Sequence, residues 1–153
     1  MTADAESAAL RLFEQDPSLR RWFEDSYAYA VFPDVRLGTI GRGEAMGAGS
    51  VYELGGLIGT ATLRQPAISF QLEGDAGDRY QQVIFFETIE ALEDWLFGRT
   101  TFDLRTPSTA AGPGAGALAR YRNGVMVLTA LPDGTTFEAD LTGQSFSFTP
   151  VED

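Results

Sequence analysis

The chain of 153 residues contains no cysteine, no histidine and no lysine. Without cysteine it can form no disulfide, thiol nucleophile or thiolate metal site. Without histidine it lacks the commonest general base and the commonest transition-metal ligand. Without lysine it can form no Schiff base and cannot supply the lysine of a P-loop. We therefore expect a non-enzymatic protein with no catalytic residues, no cofactor and no metal ion; an enzyme that uses carboxylates alone is the weaker alternative.

Positive charge is also scarce: the sequence contains 11 arginines and 22 acidic residues, so the net charge is −11. The longest basic run is Arg20–Arg21, which argues against nucleic acid as a partner. The same charge opposes attraction to an anionic membrane unless arginines cluster on one face. No apolar run approaches the ~20 residues of a membrane-spanning helix. The N-terminus lacks a signal-peptide pattern, so the chain as given predicts a cytoplasmic protein; the cell envelope is the alternative if a signal peptide was removed.

The length suits one domain over residues 1–153, with a helical part at about 4–27 and a β-rich remainder. Pro17 ends the first predicted helix, and Asp16 is suited to cap a second one that has Pro17 at its first position. This helical pair could lie on a membrane surface, but covering a sheet is the preferred interpretation. The apolar stripe of the second helix consists of Leu19, Trp22, Phe23 and Tyr27.

After Tyr29 the hydrophobic pattern changes to a period of two, which predicts strands. Pro33 ends the first of them, and Gly55–Gly56 is a hairpin signal. A third helix is predicted at 89–97, with Thr88 as its cap and Gly98 at its end. The predicted fold class is α+β: a twisted, mainly antiparallel sheet or a partly closed barrel, with two N-terminal helices and this later one. The predicted strands are residues 28–32, 38–43, 49–54, 57–63, 67–73, 82–87, 125–131, 135–141 and 144–149.

A glycine-rich ribbon with small residues at every second position is the most unusual stretch of the sequence. Alternate residues of a strand share a face, so one face would carry almost no side chains. Such a face could lie open to a bound molecule, or it could pack closely against a neighbouring element, and the spacing favours packing. The alternating residues are Gly41, Gly43, Ala45, Gly47 and Gly49.

Five motifs in order resemble a SYLF domain, also called the Ysc84 family, in its small bacterial form. The resemblance extends from about Leu12 to Thr149. The motifs are DPSLRRWFEDSYAYAVFPDV at 16–35, the ribbon at 41–53 ending in VYE, QPAISFQLEGD at 65–75, VIFFETIEALEDWLFG at 83–98, and 121–148, which ends in GQSFSF.

The resemblance implies a non-enzymatic module that binds lipid head groups or a membrane surface, since SYLF domains bind phosphoinositides. The alternative is a protein-interaction or scaffold domain that has lost the lipid site. Where the family commonly has two G-K-G motifs, this chain has Arg36–Leu37–Gly38 and Gly47–Ala48–Gly49. Arginine can replace lysine at a phosphate site because its planar guanidinium binds phosphate oxygens in pairs. The candidate lipid-binding residues are Arg36, Arg42, Gly41, Gly43, Gly47, Gly49, Arg20 and Arg21.

Overall fold

The computed structural model describes residues 2–37, 45–65, 79–100, 102, 115–132, 141 and 143–151. Predicted strands at 38–43, 67–73 and most of 135–141 lie outside these residues, as do Gly41, Arg42 and Gly43. The helices are α1 (Thr2–Gln15), α2 (Arg20–Asp25), α3 (Ile89–Leu96) and a single turn, α4 (Ala115–Leu118). The strands are β1 (Ala28–Leu37), β2 (Ala45–Glu53), β3 (Gly56–Gln65), β4 (Arg79–Phe86), β5 (Val125–Ala130) and β6 (Ser145–Pro150).

The six strands form one antiparallel sheet in the order β5-β4-β1-β2-β3-β6. The predicted α+β class, the mainly antiparallel sheet, the two N-terminal helices and the later helix are confirmed. The structure does not support the alternative of a partly closed barrel, because the sheet of the described strands is open, with β5 and β6 at its two edges.

One face of the sheet, which we call the α1 face, is covered by α1 and α2. Trp22 of α2 contacts Phe85 of β4, with ring centroids 5.8 Å apart, and both belong to a buried cluster that includes Leu12 and Val31. Burying a large apolar side chain contributes roughly 1.5–3 kcal/mol, so covering the sheet accounts for Leu19, Trp22 and Phe23 of the predicted stripe. Tyr27 lies beyond the end of α2 and packs against the buried cluster on the other face of the sheet. Of the two interpretations of the helical pair, the structure supports the one in which it covers the sheet.

The opposite face, the α3 face, carries the other half of each strand's alternation. Trp95 of α3 contacts Phe86 of β4 and Phe146 of β6, with centroids 5.1 Å apart in both pairs. Thr88 accepts a hydrogen bond from the Ala91 N–H and so caps α3, as predicted. Through Trp95, α3 therefore packs against β4, which is next to one edge of the sheet, and against β6, which is at the other edge.

The N-terminal helices are fixed by a buried carboxylate. Asp16 accepts a hydrogen bond from the Ser18 N–H at 3.1 Å, with Pro17 at the first position of the helical turn, as predicted. Its other oxygen accepts from the Gly116 N–H at 2.9 Å, and Trp22 donates its indole N–H to the Gly116 carbonyl at 2.7 Å. Hydrogen bonds to a charged carboxylate are stronger than neutral ones. Asp16 thus holds α4 against the start of the chain.

Pro33 does not end β1, which continues to Leu37. The pairing of β1 is irregular between Phe32 and Val35 on the β4 side and between Val31 and Arg36 on the β2 side. Proline lacks the N–H that a regular ladder needs, and a bulge is a place where a strand tolerates that loss. The prediction that the strand ends at Pro33 is therefore wrong, and the added residues bring Arg36 into the sheet.

The β2–β3 hairpin turns one residue earlier than predicted. Glu53 pairs with Gly56, so the loop residues are Leu54 and Gly55, with φ of 50° and 83°. Two positive φ values define the turn type that normally carries Asn-Gly. Leu54 is 75% exposed in this left-handed conformation, which costs a side chain such as leucine about 1–2 kcal/mol.

We expect Leu54→Asn to stabilise the protein by about 1 kcal/mol, because asparagine tolerates the left-handed region better than leucine does. Urea unfolding followed by circular dichroism measures the change. Leu57→Asn is the control, since Leu57 is also exposed but lies within β3 rather than in the turn. Equal effects of the two substitutions would show that the turn conformation is not the cause.

Candidate functional site

Three arginines from three strands lie in one row across the sheet. Arg36 of β1 pairs with Arg79 of β4 on one side and with Met46 of β2 on the other, and Met46 pairs with Arg64 of β3. Directly paired residues of neighbouring strands point to the same face. With neighbouring strands about 4.8 Å apart, the row covers about 15 Å. We call these four residues the arginine row.

The arginine row lies on the α1 face, because its sequence neighbours Val35, Ala45, Leu63 and Tyr80 belong to the buried cluster on the α3 face. The side chains of Arg36 and Arg79 are 66% and 46% exposed, and Met46 is 40% exposed. Arg64 is exposed as well. The row is therefore an accessible strip of positive charge with one apolar side chain within it.

Asp34 lies within this strip and pairs with two of its members. The Arg36 Nε donates to one carboxylate oxygen of Asp34 at 2.8 Å, and the Arg79 Nε lies 3.6 Å from the other oxygen. This carboxylate reduces the repulsion between two guanidinium groups on paired residues. Exposed ion pairs contribute only about 0–1 kcal/mol, so an incoming anion can compete for the same guanidinium groups.

The ribbon glycines Gly47 and Gly49 pair with Leu63 and Ala61, which belong to the buried cluster on the α3 face. A Cβ at Gly49 would lie 2.5 Å from the Val31 carbonyl oxygen and 2.6 Å from the Phe32 ring, and a Cβ at Gly47 would lie 3.0 Å from Val35. These distances leave no space for a ligand directly over either residue. The packing interpretation therefore fits these two glycines, and their assignment to a bare lipid-binding face does not.

Arg20 and Arg21 lie on α2, far from the arginine row. Phe23 of the same helix contacts Tyr29 near the start of β1, with centroids 5.1 Å apart, and Arg36 follows Tyr29 by seven residues, roughly 20 Å along a strand. Arg20 forms an exposed ion pair with Glu24 at 3.6 Å. The structure does not bring these two arginines together with Arg36. Arg42, Gly41 and Gly43 lie outside the described residues.

A network of buried glutamines, which no local sequence pattern predicts, occupies the α3 face. Gln82 of β4 and Gln144, which precedes β6, exchange two amide hydrogen bonds at 2.8 and 2.9 Å, and Gln144 also donates to Gln65 of β3 at 3.1 Å. Burial raises the pKa of the neighbouring Tyr80, and a hydrogen bond with Gln144 opposes that rise. These amides hydrogen-bond one another, so the network connects β4 with β3 and with the residue that precedes β6, although β4 is a neighbour of neither strand.

Other chemistry is sparse in the described part of the chain. No group of three or more acidic side chains there could hold a metal ion. None of its helices is both long enough and apolar enough to cross a bilayer.

Comparison of the chain with models of known protein families gave no match, and a search of curated proteins found no similar sequence. The resemblance to SYLF domains therefore stays a prediction that rests on the sequence motifs.

We expect Gly49→Ala to destabilise the protein by about 1–3 kcal/mol, because the added methyl group must displace the Val31 backbone or the Phe32 ring. Gly56→Ala is the control: its nearest neighbour would be 3.7 Å away, and we expect a gain of about 0.5 kcal/mol from reduced freedom of the unfolded chain. Chemical unfolding of both variants measures the difference. A tolerated Gly49→Ala would contradict close packing of the ribbon.

Proposed function

We propose that this chain is a non-enzymatic module that binds anionic membrane surfaces through the arginine row. The observation that carries the proposal is the register of β4, β1, β2 and β3, which aligns Arg79, Arg36 and Arg64 as an exposed strip. Lipid binding is also the activity that the resemblance to SYLF domains implies. The three arginines take the place of the family lysines as the source of positive charge.

The binding free energy of such a contact follows from the number of arginines in the row. Each arginine near an anionic surface contributes about 1 kcal/mol, and the attraction extends over about one Debye length, roughly 8 Å at physiological salt. Three arginines give about 3 kcal/mol, so the contact is weak, reversible and sensitive to salt. Met46 adds a small apolar contact within the same strip.

The test is co-sedimentation with phosphatidylcholine vesicles, with and without phosphatidylserine, at two salt concentrations. We expect extra binding to the anionic vesicles, a loss of that extra binding at high salt, and a reduction of about fivefold for each of Arg36→Gln, Arg64→Gln and Arg79→Gln. Asp34→Asn should increase the extra binding, because it removes the carboxylate that competes with the lipid phosphate.

The matched control is Arg99→Gln. Arg99 is 61% exposed and pairs with Asp94 at 3.0 Å, so it resembles the Arg36–Asp34 pair but lies after α3, outside the arginine row. An equal loss in this variant, or binding that does not respond to salt, would contradict the proposal.

A protein-interaction role is the second candidate, and the exposed hairpin residue Leu54 favours it. Leu54 is 75% exposed in a left-handed conformation, and strained residues of this kind cluster at functional sites. Leu54 lies at the end of β2 opposite Met46. Loss of vesicle binding in Leu54→Asn would count against a separate protein site, because it would place the membrane contact at the hairpin.

A further inference from the structure

A small cavity opens beside α2, at the opposite end of β1 from the arginine row. Its volume is about 260 Å³, and the described residues that line it are Arg21, Trp22, Asp25 and Tyr121. This volume lies just below the range of about 300–1,000 Å³ that is typical of drug-sized ligands. The cavity therefore suits a small polar molecule or a lipid head group.

The two aromatic residues form a corner of fixed geometry. The rings of Trp22 and Tyr121 have centroids 4.8 Å apart and meet at 65°. The indole N–H donates to the Gly116 carbonyl at 2.7 Å, and the Tyr121 hydroxyl forms a hydrogen bond of 2.6 Å with Ser26 Oγ. Because both rings are held before any ligand arrives, binding does not have to order them.

The two charged residues give the cavity one positive and one negative group. Arg21 and Asp25 are four positions apart on α2, so their Cβ atoms lie about 5–6 Å from each other. Among the ion pairs of the described residues, Arg20 joins Glu24, but none joins Arg21 to Asp25. Burial raises the pKa of Tyr121, and the charges of Glu87 and Asp25 add to this rise while Ser26 opposes it. Tyr121 therefore stays neutral at physiological pH.

This arrangement selects a particular ligand chemistry. An aromatic corner beside a carboxylate suits a quaternary ammonium, which is attracted to ring faces. A guanidinium suits a phosphate. A free amino acid carries both charges on one carbon, which is too close for groups one helical turn apart. We propose that the cavity binds a phosphocholine group, in which a two-carbon linker separates the phosphate from the ammonium, either free or as the head group of a phospholipid.

Calorimetric titration with phosphocholine, choline and inorganic phosphate at constant ionic strength tests the ligand class. We expect phosphocholine to bind at least about tenfold more tightly than either fragment, because only phosphocholine contacts both charges. Inorganic phosphate binding as tightly as phosphocholine, or no binding of phosphocholine, would overturn the proposal.

Substitutions of the exposed charges test the site without removing core residues. We expect Arg21→Gln to weaken phosphocholine binding about tenfold while choline binding changes less than about twofold, and Asp25→Asn to weaken both ligands. Arg20→Gln is the matched control, since Arg20 is on the same helix but does not line the cavity. Thermal unfolding confirms that each variant is folded. An equal loss in Arg20→Gln and Arg21→Gln would overturn the assignment.

A further set of measurements tests the source of the ligand and whether the cavity binds it independently of the arginine row. Binding to phosphatidylcholine vesicles that Arg21→Gln removes supports a lipid head group, and binding of free phosphocholine alone supports a soluble source. Arg36→Gln and Arg79→Gln should leave phosphocholine affinity unchanged, because both residues lie far from the cavity. Arg36 is eight residues beyond Ala28, the first residue of β1, which corresponds to roughly 25 Å along the strand. A loss of phosphocholine affinity in these two variants would contradict a separate site.

Discussion

The close approach of β1 and β2 is the constraint on which the rest of the structure depends. A Cβ at Gly49 would lie 2.5 Å from the Val31 carbonyl oxygen and 2.6 Å from the Phe32 ring, so any larger residue requires one of these groups to move. This contact fixes the register of β1 against β2, and β1 in turn pairs with β4. A one-residue change of register would move every side chain of a strand to the other face. The same contact packs the core and fixes the pairing of β1 with β2 up to Val31, beyond which the irregularity around Pro33 sets the pairing of Arg36 with Arg79 and Met46.

The position of the arginines along the strands makes the proposed membrane contact compatible with a net charge of −11. At the far end of β2, a hydrogen bond to Glu53, together with the charges of Glu93 and Glu90, raises the pKa of Tyr27. These three glutamates therefore lie near the end of the sheet opposite the arginine row. Because screening limits these fields to about 8 Å, an anionic surface responds to the nearer end. In the proposed contact, an anionic surface would repel these glutamates, and the arginine row would face the lipid.

Features that depend on local sequence could be predicted, and features that depend on strand pairing could not. The Asp16–Pro17 start of the second helical segment, the Thr88 cap and most of the described strands follow from nearby residues. The prediction that β1 ends at Pro33 is wrong, because a bulge allows a strand to continue through proline. The spacing of Gly47 and Gly49 favoured packing, and the structure agrees.

The arginine row is a feature that local sequence could not predict. Arg36, Arg64 and Arg79 are separated by 28 and 15 positions in the sequence, and only the register brings them together. Arg36 was a candidate because of the family resemblance, whereas Arg64 and Arg79 were missed. The sequence feature that could have identified them is an arginine near the end of a strand, next to a buried apolar residue. The glutamines at 65, 82 and 144 were missed for the same reason, since no local pattern connects them.

The most direct measurement of the central claim is a two-dimensional NMR spectrum of the arginine Nε–Hε groups, recorded while nanodiscs containing phosphatidylserine are added. If the register creates one membrane-binding surface, the signals of Arg36, Arg64 and Arg79 should shift or broaden together, while those of Arg20 and Arg99 stay unchanged. Changes distributed evenly over these five arginines, or a response of Arg36 without Arg64 and Arg79, would contradict it.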